Sequence, residues 1–466
     1  MAAQGTQPRL RVLMLPWLAY GHLSPFLELA KRLSLHNVAV YLCSSPTNFR
    51  PIAAPASSAA VGDSVPIRMV DLPLPDLPDL PPHLHTTKDL PPHLMPTLKA
   101  AVDGAAPAFG LLLDELCPDI VFFDFVMPWV PLVAAVRDIP AVVFFANSAA
   151  TTTLFFQHLR RPAEQPPFPA IAFEGGEKEL ALKMLSLYGN GQLDADRILG
   201  SIDRSSGFTV FRTFREIEAK YLDYLPSLLN REVIPVGPLV PSIDGEESYL
   251  EEWLGKKEAA SVVFVSLGSE YFMSPEEISE MARGLELCKL CFIWVVRSPS
   301  TDRPATAALP ENFAERMEKE GRGVVVQGWA PQRKILAHRS TGGFVTHCGW
   351  SSVVEGMSLG VPMIAVPLQH DQPVNANLMA ELGVAVKVKM EVVVDGETGE
   401  PVNRFRGDDV ARCIEEVVVG EGGAAVRRRV KEMGEMMKGK GDEEMEILVE
   451  KMDSLVRRKK KTPKEN

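Results

Sequence analysis

Two doubly wound α/β domains are the fold class predicted for this chain, from three observations. The chain has 466 residues, too many for a single hydrophobic core. Short apolar runs of the kind that form buried parallel strands alternate with amphipathic helical patterns in both halves. A stretch rich in proline, glycine and acid, VIPVGPLVPSIDGEE (residues 233–247), lies between the halves and reads as a linker.

The first half opens with the strand LRVLMLP (10–16), the loop WLAYGHLSP, the amphipathic helix FLELAKRLS and the strand VAVYLCS (38–44). Strand, helix and strand make a βαβ unit. The runs IVFFDF (120–125), AVVFFAN (141–147) and FTVFRTF (208–214) continue the alternation. The stretch DLPLPDLPDLPPHLHTTKDLPPHLMP (71–96) has too many prolines for a long helix or a central strand. It reads as an ordered loop over the carboxyl ends of the strands, where functional loops collect. Its leucines and three histidines favour packing over a solvated linker.

In the second half, SVVFVSLGS (261–269) is a strand ending in a glycine turn. The helix SPEEISEMARGLELC is capped by Ser274, with acids in its first turn. FIWVVR, GVVVQGW, GGFVTHC and PMIAVPL are strands, and GDDVARCIEEVVV and residues 425–456 are helical. The expected division is a first domain over 1–238, a linker over 239–256 and a second domain over 257–440. Residues 441–466 should form a helix that returns to the first domain and ends in the basic tail RRKKKTPK (457–464), read as solvated.

Apolar residues make up 46% of the chain and charged ones 23%, ordinary for a soluble globular protein. A net charge of −11 argues against nucleic-acid binding. No stretch reaches the about 18 apolar residues of a membrane span, and the N-terminus lacks a signal-peptide pattern. A cytoplasmic monomer with no membrane partner is expected. The six cysteines read as free thiols, most of them in apolar surroundings. Cys288 and Cys291 form a lone CxxC between a helix and a strand, which reads as packing.

The chemistry concentrates in WAPQRKILAHRSTGGFVTHCGWSSVVEGMSLGVPMIAVPLQHDQ, residues 329–372. Here the strand GGFVTHC feeds a turn and then the helix SSVVEGMSLG, whose N-terminus suits an anion. His347, Ser351 and Ser352 add donors, and Gly349 admits a close approach to the backbone. The carboxylate of Glu355, with Asp371 and Gln372, suits sugar hydroxyls, and Trp329 can stack on a flat base. The set describes a nucleotide-sugar pocket. A metal site is disfavoured, because His347 and Cys348 are adjacent and no spacing brings His370 to them. In the first half, His22 follows the first strand and Asp124 ends another, at the strand ends where doubly wound folds bind ligands. Asp119 is the weaker acid candidate. The first strand is followed by WLAYGH and not by G-x-G-x-x-G, which argues against a dehydrogenase.

The 44-residue box, with W-A-P-Q, T-H-C-G-W, the glutamate, G-V-P and the closing D-Q, resembles the signature of plant family 1 UDP-glycosyltransferases. The resemblance covers nearly the whole chain, including LPWLAYGHLSPFLELAKRLS and VFVSLGSE. LHTTKDLPPHLMP, within the proline-rich stretch, resembles the group that adds a sugar to a sugar already on a natural product. The resemblance implies a GT-B fold, with two Rossmann-like domains facing across a cleft, the donor held by the second and the acceptor by the first. It implies that Trp329 stacks on uracil, that Ala330 belongs to the donor site, that Gln332 contacts the uridine, and that His347 and Ser352 bind the diphosphate, with Gly349, Gly268 and Ser269 beside it. Glu355 would bind the ribose, Asp371 and Gln372 the sugar, and Trp350 would shape the sugar pocket. The family usually has asparagine where this chain has Ser351, a shorter donor at that contact.

By the same resemblance His22 is the general base, oriented by Asp124, in an inverting displacement that needs no metal and no cofactor besides the UDP-sugar. Gln372 resembles glucose-using members, ahead of xylose or galactose. Trp17, Tyr20, the loop up to His93, Asn147 and Ser148 are the expected acceptor lining. The expected acceptor is a natural-product glycoside. The alternatives are an aglycone O-glucosyltransferase and a nucleotide-sugar-binding protein without turnover.

Overall fold

The computed structural model describes residues 8–50, 65–88, 90–243, 248–297, 305–394, 396, 399 and 401–461. The linker residues 244–247, Asp89 of the proline-rich stretch and the last residues of the basic tail lie outside them. The chain forms two compact units. The first holds the described residues of Met1–Arg161, Leu185–Pro241 and Gly439–Asn466, and the second those of Pro162–Met184 and Ser242–Lys438.

The first unit is built on β1 (Leu10–Leu15), β2 (Val38–Ser44), β3 (Arg68–Asp71), β4 (Ile120–Asp124), β5 (Ala141–Phe145), β8 (Phe208–Phe211) and β9 (Glu232–Pro235). A small hairpin, β6 (Tyr188–Gly189) and β7 (Gln192–Leu193), stands apart. The seven-stranded sheet has the order β3-β2-β1-β4-β5-β8-β9 and is parallel throughout. Every residue of β4, β5 and β8 is buried, as in a parallel sheet covered on both faces, which is why these strands read as unbroken apolar runs.

The helix after β1 starts earlier than the sequence suggests. It spans Tyr20–Leu35, with Pro25 inside it, where the pattern pointed to a start near Phe26. The Ala19 carbonyl accepts from His22 N–H at 3.1 Å and Leu23 N–H at 2.9 Å, which closes the first turn. Pro25 costs this helix one N–H. His22 therefore belongs to a helical first turn and not to a loop.

The C-terminal helical stretch is two helices, Ala424–Met437 and Asp442–Lys461. The break falls where Gly439 and Gly441 take φ of +73° and +108°. The last helix buries Met445, Leu448, Val449, Met452 and Val456 in one cluster with Val12, Phe26 and Val38 of the first unit. A Cβ on Gly237 would lie 2.7 Å from Gly441 Cα, so the two passes of the chain meet closely enough to require glycine.

The second unit carries β10 (Val262–Ser266), β11 (Cys291–Val296), β12 (Gly323–Gln327), β13 (Thr341–Thr346), β14 (Met363–Ala365) and β15 (Ala385–Lys387), in the order β12-β11-β10-β13-β14-β15. All pairs are parallel. Two parts of the chain differ from the sequence division. Residues 249–255, assigned to the linker, form the helix Tyr249–Gly255, started by a Ser248–Glu251 capping box. Residues 162–184, assigned to the first domain, pack on the second unit, where Asn377 Nδ2 donates to the Ala172 carbonyl at 2.8 Å and Lys387 pairs with Glu177 at 3.0 Å. The cap at Ser274 forms as expected, with Ser274 N–H donating to Glu277 Oε2 at 2.8 Å. All six cysteines are free, with Cys288 at the end of that helix and Cys291 starting β11.

In each sheet the strand order reverses beside the first strand, between β1 and β4 and between β10 and β13. Such a switch point opens a crevice at the carboxyl ends of the strands, where doubly wound folds bind ligands. No helix among the described residues is long and apolar enough to cross a membrane.

Candidate active site

The switch point of the first unit holds His22 and Asp124. His22 follows β1 in the first helical turn, and Asp124 is the last residue of β4. Asp124 is fully buried, and its Oδ2 lies 2.7 Å from His22 Nδ1. The same oxygen accepts Trp17 N–H at 3.2 Å. Its Oδ1 is buried with no hydrogen-bond partner, so the carboxylate's bonding runs through Oδ2. The His22 side chain is 27% exposed. Donation from Nδ1 to a buried carboxylate puts the lone pair on Nε2, the arrangement of an oriented proton acceptor. Phe125 packs beside the imidazole at 5.7 Å and is itself stacked on Phe145, which stacks on Phe211. Asp119 lies before β4 and takes Arg11 N–H at 2.9 Å, a place in the sheet and away from this pair.

The switch point of the second unit holds Gly268 and His347. A Cβ on Gly268 would lie 2.5 Å from His347 Nε2, and one on Gly349 would lie 2.6 Å from it. The ring occupies a slot between two glycines, and Gly268 also takes φ +86°. Burial, and secondarily the neighbouring His370, pushes the His347 pKa down to about 4, so the ring is neutral at pH 7. A neutral ring carries one N–H. Nothing bonds Nδ1, so that N–H can reside on Nε2 beside the glycines.

Gly349 is the N-cap of the helix Trp350–Ser358 and offers no side chain to its first N–H groups. Trp350 and Ser352 are buried and Ser351 is half-exposed. Gln332 starts the helix Gln332–Ala337, and its Nε2 donates to Glu355 Oε2 at 3.0 Å and to Ser352 Oγ at 3.4 Å. Ala330 is buried, and its carbonyl accepts Gln332 N–H at 2.8 Å. Trp329, two residues beyond β12, is 55% exposed. Ser269 is half-buried in the turn after β10.

Asp371 and Gln372 begin the helix Gln372–Glu381. Gln372 Oε1 accepts Leu368 N–H and Gln369 N–H, both at 2.9 Å. With its oxygen held by the loop, what Gln372 has left to offer is its amide N–H₂. Asn375 was not among the expected residues. Its Nδ2 donates to Asp371 Oδ2 at 2.8 Å and to the Cys348 carbonyl at 3.0 Å, which ties the Asp371 loop to the turn after β13. The i,i+4 spacing from Asp371 was legible in the sequence; the contact with Cys348 was not. Cys348 is a buried thiol in a left-handed turn at φ +66°, raised in pKa by burial, and it serves packing.

The expected acceptor residues lie at three places in the first unit. Trp17 and Tyr20 flank the turn into the His22 helix and are half-buried. His93 is exposed on the 3₁₀ turn Pro92–Leu94. Asn147 is half-buried with a buried, unbonded Oδ1. Ser148 is fully buried and caps the helix Ala149–Arg160 by accepting from Thr151 N–H at 3.1 Å. A further residue that the sequence did not mark is Glu218, buried at a break in the helix Arg215–Leu229. Its carboxylate accepts Ala149 N–H at 3.1 Å and Ala150 N–H at 2.7 Å, and burial raises its pKa to about 7.

Comparison with known proteins shows the family and the fold. The family described as "UDP-glucoronosyl and UDP-glucosyl transferase" matches residues 233–399, and "Glycosyltransferase, N-terminal domain" matches residues 9–241. The chain is 45% identical over 451 residues to "Mogroside IIIx synthase" of Siraitia grosvenorii, covering 94% of this chain and 96% of that one. It is 42% identical to the "Flavanone 7-O-glucoside 2''-O-beta-L-rhamnosyltransferase" of Citrus maxima, over 97% of this chain and 98% of the other. The crystal structure of Glycyrrhiza uralensis UGT73P12, complexed with glycyrrhetinic acid 3-O-monoglucuronide, shares the fold with a TM-score of 0.82, covering 97% of both chains at 24% identity. Two Rossmann-like units of the GT-B class, the nucleotide-sugar box and relatives of this identity lead to one conclusion: the chain belongs to the plant family 1 UDP-glycosyltransferases and is a UDP-sugar-dependent glycosyltransferase.

Proposed function

We propose that the enzyme transfers glucose from UDP-glucose, with inversion, to a hydroxyl on the sugar of a natural-product glycoside, and that His22 is its general base. The 2.7 Å contact between His22 Nδ1 and the buried Asp124 carries the proposal. Asp124 holds the ring in the tautomer whose Nε2 takes the acceptor's proton. The acceptor oxygen bonds to the anomeric carbon as the bond from that carbon to the diphosphate breaks. UDP leaves with the electron pair, and the α-linked donor sugar becomes a β-linked product. The first N–H groups of the helix Trp350–Ser358 and the neutral His347 receive the charge on UDP, so no step of this reading uses a metal. Gln332 and Glu355, bonded to each other at 3.0 Å, would together take the uridine ribose.

The glucose reading rests on Gln372, which offers a donor to the sugar, and on its resemblance to glucose-using members. The glycoside reading rests on the resemblance of LHTTKDLPPHLMP and on the Citrus relative, whose name gives a glucoside as acceptor. That same name gives rhamnose as the sugar moved, so donor choice is the part to test first. With a panel of UDP-sugars and one accepted glycoside, UDP-glucose gives the highest kcat/KM, with UDP-xylose and UDP-galactose behind it. A rhamnose or glucuronate donor that outruns glucose overturns the donor assignment.

A further inference from the structure

The proline-rich stretch grips the segment that delivers His22. Leu18 lies between Trp17, whose N–H reaches Asp124, and Ala19, whose carbonyl closes the first turn of the His22 helix. The Leu18 carbonyl accepts Thr87 N–H at 2.8 Å and lies 3.3 Å from Thr86 Oγ1. Thr86 is 5% exposed. Its hydroxyl also lies 3.1 Å from Asn48 Oδ1 and accepts Lys88 N–H at 3.2 Å. Asn48 in turn donates to Ser44 Oγ at 3.0 Å, at the end of β2. The Trp17–Ala19 segment is thus held on one side by the end of β4, through Asp124, and on the other by the end of β2, through Thr86 and Asn48. These two strands flank β1 in the sheet.

We propose that Thr86 is a positioning residue for the His22–Asp124 pair. Its hydroxyl, shared between Leu18 and Asn48, fixes the Trp17–Ala19 segment and so the place at which the helix presents the imidazole. The proposal rests on the reading of His22 as the general base. Thr86 itself touches no reacting atom, and it gives a physical job to part of the proline-rich stretch that reads from the sequence as an ordered loop.

Thr86→Val keeps the shape and removes the hydroxyl, leaving the Thr87 N–H bond in place. A 1 Å misplacement can cost about 10²-fold in rate, and the remaining bonds limit the shift. The expected result is therefore a kcat about 10-fold lower, an unchanged KM for UDP-glucose, and recovery of most of the rate in Thr86→Ser. If the valine variant does not fold, Thr86→Ala against Thr86→Ser isolates the same hydroxyl. A kcat unchanged without the hydroxyl, a loss seen only in donor KM, or equal losses in the variants with and without a hydroxyl each overturn the proposal. His22→Asn measured alongside separates the two readings. If it is inactive while Thr86→Val behaves as the parent, only the Thr86 assignment fails. If it turns over as the parent does, both fail.

Discussion

His22→Ala loses sugar transfer and keeps UDP binding. The expected drop in kcat is about 10²–10⁴-fold, the usual worth of general-base help. The histidine is the partner of a fully buried carboxylate, so its removal has a second consequence. Asp124 is left with the Trp17 N–H alone, and losing a hydrogen bond to a buried charged group costs about 1.5–3 kcal/mol. The alanine variant is therefore expected to be less stable as well as inactive. His22→Asn separates the effects. Its amide can place a donor where Nδ1 stood, which preserves the bond to Asp124 and removes Nε2. Activity should fall as in the alanine variant while the melting temperature stays near the parent's. Asp124→Asn is expected to lose activity too, because an amide no longer holds the ring with its lone pair on Nε2. Calorimetric titration with UDP checks that the second unit is intact in each case, and wild-type turnover by His22→Asn would remove the histidine from the chemistry.

Gly268→Ala is the second large effect. The added Cβ would lie 2.5 Å from His347 Nε2, and φ of +86° is unfavourable for any residue with a Cβ. The backbone strain alone is worth about 1–2 kcal/mol. The imidazole has little room to retreat, because Gly349 lines the other contact and its Nδ1 is buried. The ring must turn away from the place where, in the proposed donor site, its N–H would meet the diphosphate. UDP affinity is expected to fall about 10-fold or more, the equivalent of losing one hydrogen bond to a charged group. Gly255→Ala, where nothing lies within 4 Å of the added Cβ, is the control and should bind UDP as the parent does. Unchanged UDP affinity in Gly268→Ala would show that His347 is not a phosphate contact.

Most strands were legible because both sheets are parallel and covered on both faces, so β4, β5 and β10 appear as uninterrupted apolar runs. His22 and Asp124 could be picked out because each sits at the end of such a run. The start of the first helix was hidden by Gly21 and Pro25, two poor helix residues that tertiary packing overrides. The docking of residues 162–184 on the second unit depends on Asn377 and Lys387, about 200 residues further along, and no local pattern encodes it. The same holds for Glu218, which reads as one acid in a mixed helix and turns out to be buried against the start of another. Local rules mark elements and their ends; which ends meet is decided by the sheet order.

The most direct test of the account supplies UDP-glucose together with matched pairs of acceptors, each an aglycone and its own monoglucoside, and identifies products by mass. The monoglucosides are expected to gain one hexose, through a β-linkage to the existing sugar, while the aglycones react slowly. Glucosylation of the aglycones alone would contradict it.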